Sequence, residues 1–297
     1  FTIGNDNQFG LAGRDTAVGW DESTNNVILL YKRDDNSQLT IRAGKKENSG
    51  TSRSLSLGAA VNMGNYDAHN QGITYDPDSQ KILVVSRDLD TSNRGILNIC
   101  STNSSGSPTT TVGSAQVFTT TSIAGNGATV EYEVVNNKAI IFYRTSTDMV
   151  TQLATINGGA STATFSTAQI VSPDAGYSVP DEPFESVGVS SEGGYVMYGF
   201  CNESSSYSLT CRGAIVRSDG TGLDFGTQNN VITNNKMGSG FGYDPGIKQY
   251  GFAFRDNGAS GEAKFTTIFN VATQTVLNAQ GSNFIGLCPF HSENTPS

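Results

Sequence analysis

The stretch Ile73–Asp88, ITYDPDSQKILVVSRD, is a short apolar run, a polar turn and a second apolar run, and the chain writes it more than once. Val18–Asp34 reads VGWDESTNNVILLYKRD, and Phe241–Asp256 reads FGYDPGIKQYGFAFRD. Anchored on the first aromatic or apolar residue, the phrase recurs at Trp20, Tyr75, Tyr132, Val189 and Tyr243. The intervals are 55, 57, 57 and 54 residues. A fixed period of this size marks a repeat architecture. The second apolar run begins seven residues after the anchor at Val27, Ile82, Ala139 and Tyr250, with Tyr195 one residue early.

Each copy carries two further strand-like runs. The third strands read QLTIRAG, GILNICS, TQLATING, RGAIVRS and KFTTIFNV; the fourth read SLSLGAAVNM, TVGSAQVF, ATFSTAQIV, LDFGTQNNVI and, less regularly, TVLNAQGSNFI. Four short strands in about 55 residues suit a propeller blade. One such sheet cannot bury both faces alone, whereas sheets stacked around an axis bury them and leave only short edges.

The expected fold is therefore all-β: a five-bladed β-propeller with four antiparallel strands per blade. Its blades span about 14–63, 68–120, 125–172, 183–233 and 238–286, followed by a tail at 287–297. An open β-solenoid or sandwich array ranks second, because solenoid coils are much shorter than this repeat. Residues 1–13 hold a sixth candidate fourth strand, FTIGNDNQF (Phe1–Phe9). Ring closure is the favoured use for it; an upstream continuation of the chain and pairing with a neighbouring subunit are the alternatives. Phe1 opens directly on that strand with neither Met nor a signal sequence, as at a processing site or the edge of a fragment.

Composition narrows the function. The 297-residue chain carries a formal net charge of −9 and only 15% charged residues. A negative chain lacks the basic face that phosphate binding needs, so nucleic acid is not an expected partner. It has no attraction for anionic lipid either, and no apolar run nears the roughly 20 residues that cross a bilayer.

The Asp following the aromatic anchor, at Asp21, Asp76 and Asp244, stands where turns need a side-chain acceptor. Turn capping is the main reading; a ring of carboxylates for cations or sugar hydroxyls is the alternative. Alternating Asp ligands of a calcium loop are absent, and no metal or cofactor is expected. The polar pair closing the second strand, Arg33-Asp34, Arg87-Asp88, Arg144-Thr145 and Arg255-Asp256, is replaced by Cys201-Asn202 in the fourth copy. These arginines suit bridges that fix blade register. Alternatively Arg33, Arg87, Arg144 and Arg255, with Asp34, Asp88 and Asp256, line anion or glycan pockets.

Signals for catalysis are weak. A glycosidase needs two converging carboxylates. The best irregular acidic cluster is Asp181, Glu182 and Glu185 in PDEPFES (Pro180–Ser186), which reads equally as a proline-stiffened loop. His69 has no nucleophile motif beside it, and no phosphate-binding loop or zinc-protease motif occurs. The four cysteines form no C-x-x-C pair. Cys201 and Cys211 flank a polar hairpin and are candidates for a disulfide, as are Cys100 and Cys288; buried free thiols are the alternative. Asn103 and Asn202 head N-x-S/T sequons.

The unit ITYDPDSQKILVVSRD…GILNI…TVGSAQVF, with LDFGTQNNVIT, resembles the tandem repeats of virion proteins from marine tailed, cyanophage-like phages. Tyr75, Asp76, Lys81, Arg87, Asp88 and Gly95 match that pattern in the second copy, and Tyr243, Asp244, Arg255 and Asp256 in the fifth. The third copy departs with Glu133 for the Asp, and the fourth lacks both Arg and Asp at its strand end. The resemblance implies an exposed fibre, knob or capsid-decorating component at the virion surface or otherwise extracellular. It also implies a homo-oligomer among other virion or filament subunits, with a host-surface glycan as candidate ligand. It implies no catalytic residue.

Overall fold

The computed structural model describes residues 13–49, 52–68, 72–104, 106–125, 128–173, 186–202, 208–232, 236–256, 262–269 and three two-residue strands between 275 and 284. The strand-like Phe1–Phe9, the acidic cluster Asp181, Glu182 and Glu185, His69, Cys288 and the tail at 287–297 lie outside them. All regular structure among the described residues is β.

The chain forms five successive antiparallel meanders. Sheet 1 comprises β1 (Gly13–Asp21), β2 (Asn26–Arg33), β3 (Leu39–Ser49) and β4 (Ser52–Leu57), with β5 (Val61–Gly64) pairing further along β3. Sheet 2 has a first strand in two pieces, β6 (Tyr66–Asp67) and β7 (Ile73–Asp76), both on β8 (Lys81–Asp88). There follow β9 (Arg94–Thr102) and its partners β10 (Thr110–Val112) and β11 (Gln116–Thr119). Sheet 3 runs β12 (Ala128–Glu133), β13 (Lys138–Arg144), β14 (Met149–Asn157), β15 (Thr162–Phe165), with β16 (Gln169–Ser172) again on β14. Sheet 4 is β17 (Ser186–Val189), β18 (Tyr195–Asn202), β19 (Ser208–Val216) and β20 (Leu223–Ile232). Sheet 5 is β21 (Lys236–Asp244), β22 (Gln249–Asp256), β23 (Glu262–Phe269) and a two-residue β24 (Thr275–Val276). The long last strand read from TVLNAQGSNFI is instead β24 and a separate short hairpin.

The second strands explain the packing. VILLY, KILVV and AIIFY are continuous apolar runs rather than alternating ones, as expected where both faces of a sheet are covered. Ile82 and Val84 face sheet 1, packing with Ile28, Leu30 and Ile41. Leu83 and Val85 point the other way, to Val130, Ile141 and Tyr143 of sheet 3. In turn Ile140 and Phe142 of sheet 3 pack on Val187, Val196 and Phe200 of sheet 4. The Phe142 and Tyr198 rings meet across this last seam, tilted by 57° at 4.9 Å. The first strands β1, β7, β12, β17 and β21 lie side by side in that order.

The fourth strands of sheets 1, 2 and 3 break once and that of sheet 4 shifts register, and in each of these four sheets one side chain from the third strand bonds the displaced backbone. Arg42 Nε donates to the Gly58 carbonyl, Asn98 Nδ2 to Gly113 and Gln152 Nε2 to Ser166, while Arg212 Nε donates to Gly226. A carbonyl freed from its ladder would otherwise be left unpaired inside the protein. Beyond the break, Gln116 and Gln169 reach the following sheet. The Gln116 amide accepts from Ala163 N–H and donates to the Ser161 carbonyl. The Gln169 amide does both to Leu223.

Candidate functional site

The turn after each first strand is built the same way five times. Asp21 Oδ1 accepts from the Ser23 and Thr24 N–H groups at 3.1 and 3.3 Å, and Asp76 Oδ1 from Asp78 and Ser79 at 2.9 and 3.2 Å. Asp244 Oδ1 takes the N–H groups of Gly246 and Ile247. Glu133 does the same work for Val135 and Asn136, and Ser190 Oγ for Glu192. The last turn residue is left-handed in every copy: Asn25, Gln80, Asn137, Gly194 and Lys248 have φ between 54° and 70°. The carboxylates at Asp21, Asp76 and Asp244 are therefore engaged in their own turns. Burial opposes ionisation of Asp21, but hydrogen bonds from Thr102, Ser23 and Thr24 outweigh it and hold the carboxyl below its usual value. Thr102 belongs to sheet 2, so this cap also ties two sheets together.

Arg33, Arg87 and Arg144, at the ends of their second strands, have different surroundings. Arg33 pairs with exposed Asp35 in the adjoining turn. Arg87 pairs with Asp67, which also takes the Lys32 ammonium from sheet 1. Burial opposes the Asp67 charge, yet the bonds from Lys32 and Arg87 prevail and keep its pKa low. Asp88 accepts from Arg94 Nε at 2.9 Å. Arg144 is buried, with its carbonyl bonded to Ala124 N–H. Asp34 closes the strand end in the turn after β2. Arg255 and Asp256 are placed by backbone only, opposite Ala263 and Glu262.

Of the four candidate disulfide cysteines, Cys100 and Cys211 take the alternative left open by the sequence, that of buried free thiols. In the β18–β19 register Cys211 stands opposite Gly199, and Cys201 opposite Leu209, so the two cysteines are offset by two residues. Cys211 and Cys100 are free and buried, and burial pushes both thiols up to about 12. Cys100 faces the core between sheets 1 and 2.

Two cavities lie between sheets at the turn end. One, of about 430 Å³, is lined by Asp76, Asp78, Asn137, Thr155 and Gly158 between sheets 2 and 3. Tyr132 Oη donates to Asp78 Oδ2 on its wall. The other, of about 300 Å³, is a funnel among the first strands of sheets 3, 4 and 5, lined by Glu131, Val189, Ser191, Tyr243 and Pro245.

Sequence reasoning missed Glu131. It stands one residue before the repeat anchor, where the other sheets have Gly19, Thr74, Gly188 and Gly242. A carboxylate at one of five equivalent positions breaks the repeat, and that departure was the available signal. Burial pushes the Glu131 carboxyl up to about 7, opposed by hydrogen bonds from the Thr74 hydroxyl and the Tyr132 backbone. Desolvation of this kind, in a concave site, is a recognised mark of functional acids.

No family model matches the chain, and no curated protein matches it. Among solved structures it is similar to a Lactobacillus plantarum protein at 11% identity, with a TM-score of 0.56, covering 89% of this chain and 73% of that one. A GH43_1 enzyme from Xanthomonas citri matches at 9% identity and a TM-score of 0.35, covering 92% of this chain and 93% of that one. A subtype N11 neuraminidase-like protein of A/flat-faced bat/Peru/033/2010 matches at 9% identity and 0.38, covering 93% and 92%. The first likeness concerns the all-β fold alone, and the overlap of the other two is too slight to bear on fold or activity.

Proposed function

We propose that the protein is a non-enzymatic five-bladed β-propeller in which each sheet is a blade and the fifth packs back on the first. The side-by-side first strands support this, together with the two faces that end the row. A Cβ on Gly19 would touch Ile73 of sheet 2, so Val18 and Trp20 point the opposite way; they are 67% and 43% exposed. Gly242 holds the place of Gly19 in sheet 5, and a Cβ there would meet nothing within 4 Å. These two open faces have the sense needed to meet. In a Val18→Cys, Gly242→Cys variant, closure gives an intramolecular disulfide on mild oxidation; exclusively intermolecular bridging would count against the ring.

In this reading the protein is a structural and adhesive component, exposed on a virion or another extracellular assembly and contacting like subunits. The observation that carries it is that the repeated residues hold the fold: the carboxylates cap turns, and the amides join sheets. Its support from outside the fold is the resemblance to phage repeats. Immunogold labelling of native particles tests it, and absence of the protein from any particle surface would remove it.

A second reading, a glycan-binding lectin, is favoured by the funnel at Glu131. A glycan array separates the two: binding lost in Glu131→Gln supports the lectin, and no binding supports the scaffold. Glycoside hydrolysis ranks below both, because among the described residues Glu131 is the one carboxylate lining the funnel and the reaction needs a pair.

A further inference from the structure

We propose that the funnel among β12, β17 and β21 binds an amino sugar in its protonated, ammonium-bearing form. The proposal rests on the glycan-binding reading and adds to it the charge of the ligand. Its first support is position. Glu131 is the sole acidic residue among the five that share its place in the repeat, and Gly188 and Gly242 leave space on the facing strands. A symmetric scaffold that serves one ligand must break its symmetry somewhere, and this is where it does.

The second support is missing counter-charge. Among the described residues, no Lys or Arg lines the funnel. Lys248, in the turn that also supplies Pro245, is 2.9 Å from Glu192 and so is already paired. The Thr74 hydroxyl is a neutral donor, which helps the Glu131 anion less than a cation would. An ammonium group supplies what the wall lacks, and a net charge of −9 favours its approach.

The third support is shape. About 300 Å³ lies at the small end of ligand pockets and suits one ring rather than a chain. Tyr243 and Pro245 offer an apolar wall for the C–H face of a sugar, and an aromatic face also attracts a cation. The exposed Ser191 hydroxyl is available to a ring hydroxyl. A bare divalent metal ion is a poor fit, since it demands several oxygen ligands and the wall provides one carboxylate.

Calorimetric titration of the whole chain near pH 7 with glucosamine, glucose, N-acetylglucosamine and a lysine amide tests this. The expected result is at least tenfold tighter binding of glucosamine than of the two uncharged sugars, with the difference abolished in Glu131→Gln. Equal binding of charged and uncharged sugars by the unaltered protein overturns the amino-sugar proposal and leaves the glycan reading standing. So does a preference that survives in Glu131→Gln. Tighter binding of the lysine amide than of glucosamine overturns the sugar in favour of a protein ligand. No binding of any sugar ends both readings at once.

Discussion

At the residue scale, one side chain per repeat sets the chain reversal between the first two strands. Asp76 satisfies two backbone N–H groups and the Ser79 hydroxyl, so Asp76→Ala leaves donors unpaired in a half-buried turn. The expected cost is about 1–2 kcal/mol in urea unfolding, in the range measured for lost caps. Gln80 works in the other direction. It holds φ at 54°, where a Cβ is disfavoured, so Gln80→Gly should stabilise by about 0.5–1 kcal/mol despite the added freedom of the unfolded chain. A lower denaturation midpoint for Gln80→Gly would contradict that account. The turn was legible in sequence because its chemistry is local: Asp two or three residues ahead of a free N–H is all it requires. Glu133 and Ser190 show that the same geometry accepts other acceptors, so the turn forms in the third and fourth copies without the Asp.

At the element scale, stability resides in the seams between sheets. Asp67 sits at one of them, receiving Lys32 from sheet 1 and Arg87 from its own sheet. Asp67→Asn keeps the shape but leaves the Lys32 ammonium, only 3% exposed, without its counter-charge. The expected loss is about 3 kcal/mol, read as a drop in unfolding midpoint with little change in slope. Because the folded-state pKa of Asp67 is depressed, its contribution is present above the unfolded value near 3.8 and lost as pH falls through the folded value. The strands themselves were legible, since runs such as KILVV and AIIFY are short, rich in β-branched and aromatic residues and bounded by turn formers, as strands covered on both sides are. The partners of Asp67 were not. They lie 20 and 35 residues away, and only packing brings them together.

At the scale of the whole molecule, the funnel among sheets 3, 4 and 5 is made acidic by one of five repeats. Ionisation of Glu131 is opposed by burial in the folded chain but not in the unfolded one. Between about pH 4.5 and 7 the folded protein therefore binds more protons, and stability falls as pH rises. The decline is at most about 3 kcal/mol, reduced by whatever water reaches the funnel. Glu131→Gln should flatten that part of the pH–stability profile, and an unchanged slope would show that Glu131 is not the group responsible. The period of the repeat, most of the strands and the turns headed by Asp21, Asp76 and Asp244 followed from the sequence alone, whereas the expected last strand in TVLNAQGSNFI did not form. Backbone hydrogen bonding and side-chain alternation act over a few residues and are written locally. Tertiary structure decided the rest: that Gly19, Thr74, Glu131, Gly188 and Gly242 occupy equivalent places on neighbouring strands, and that Cys211 faces Gly199 rather than Cys201. Those facts depend on how sheets stack and register across dozens of residues, where packing of both faces, not local preference, selects the partner.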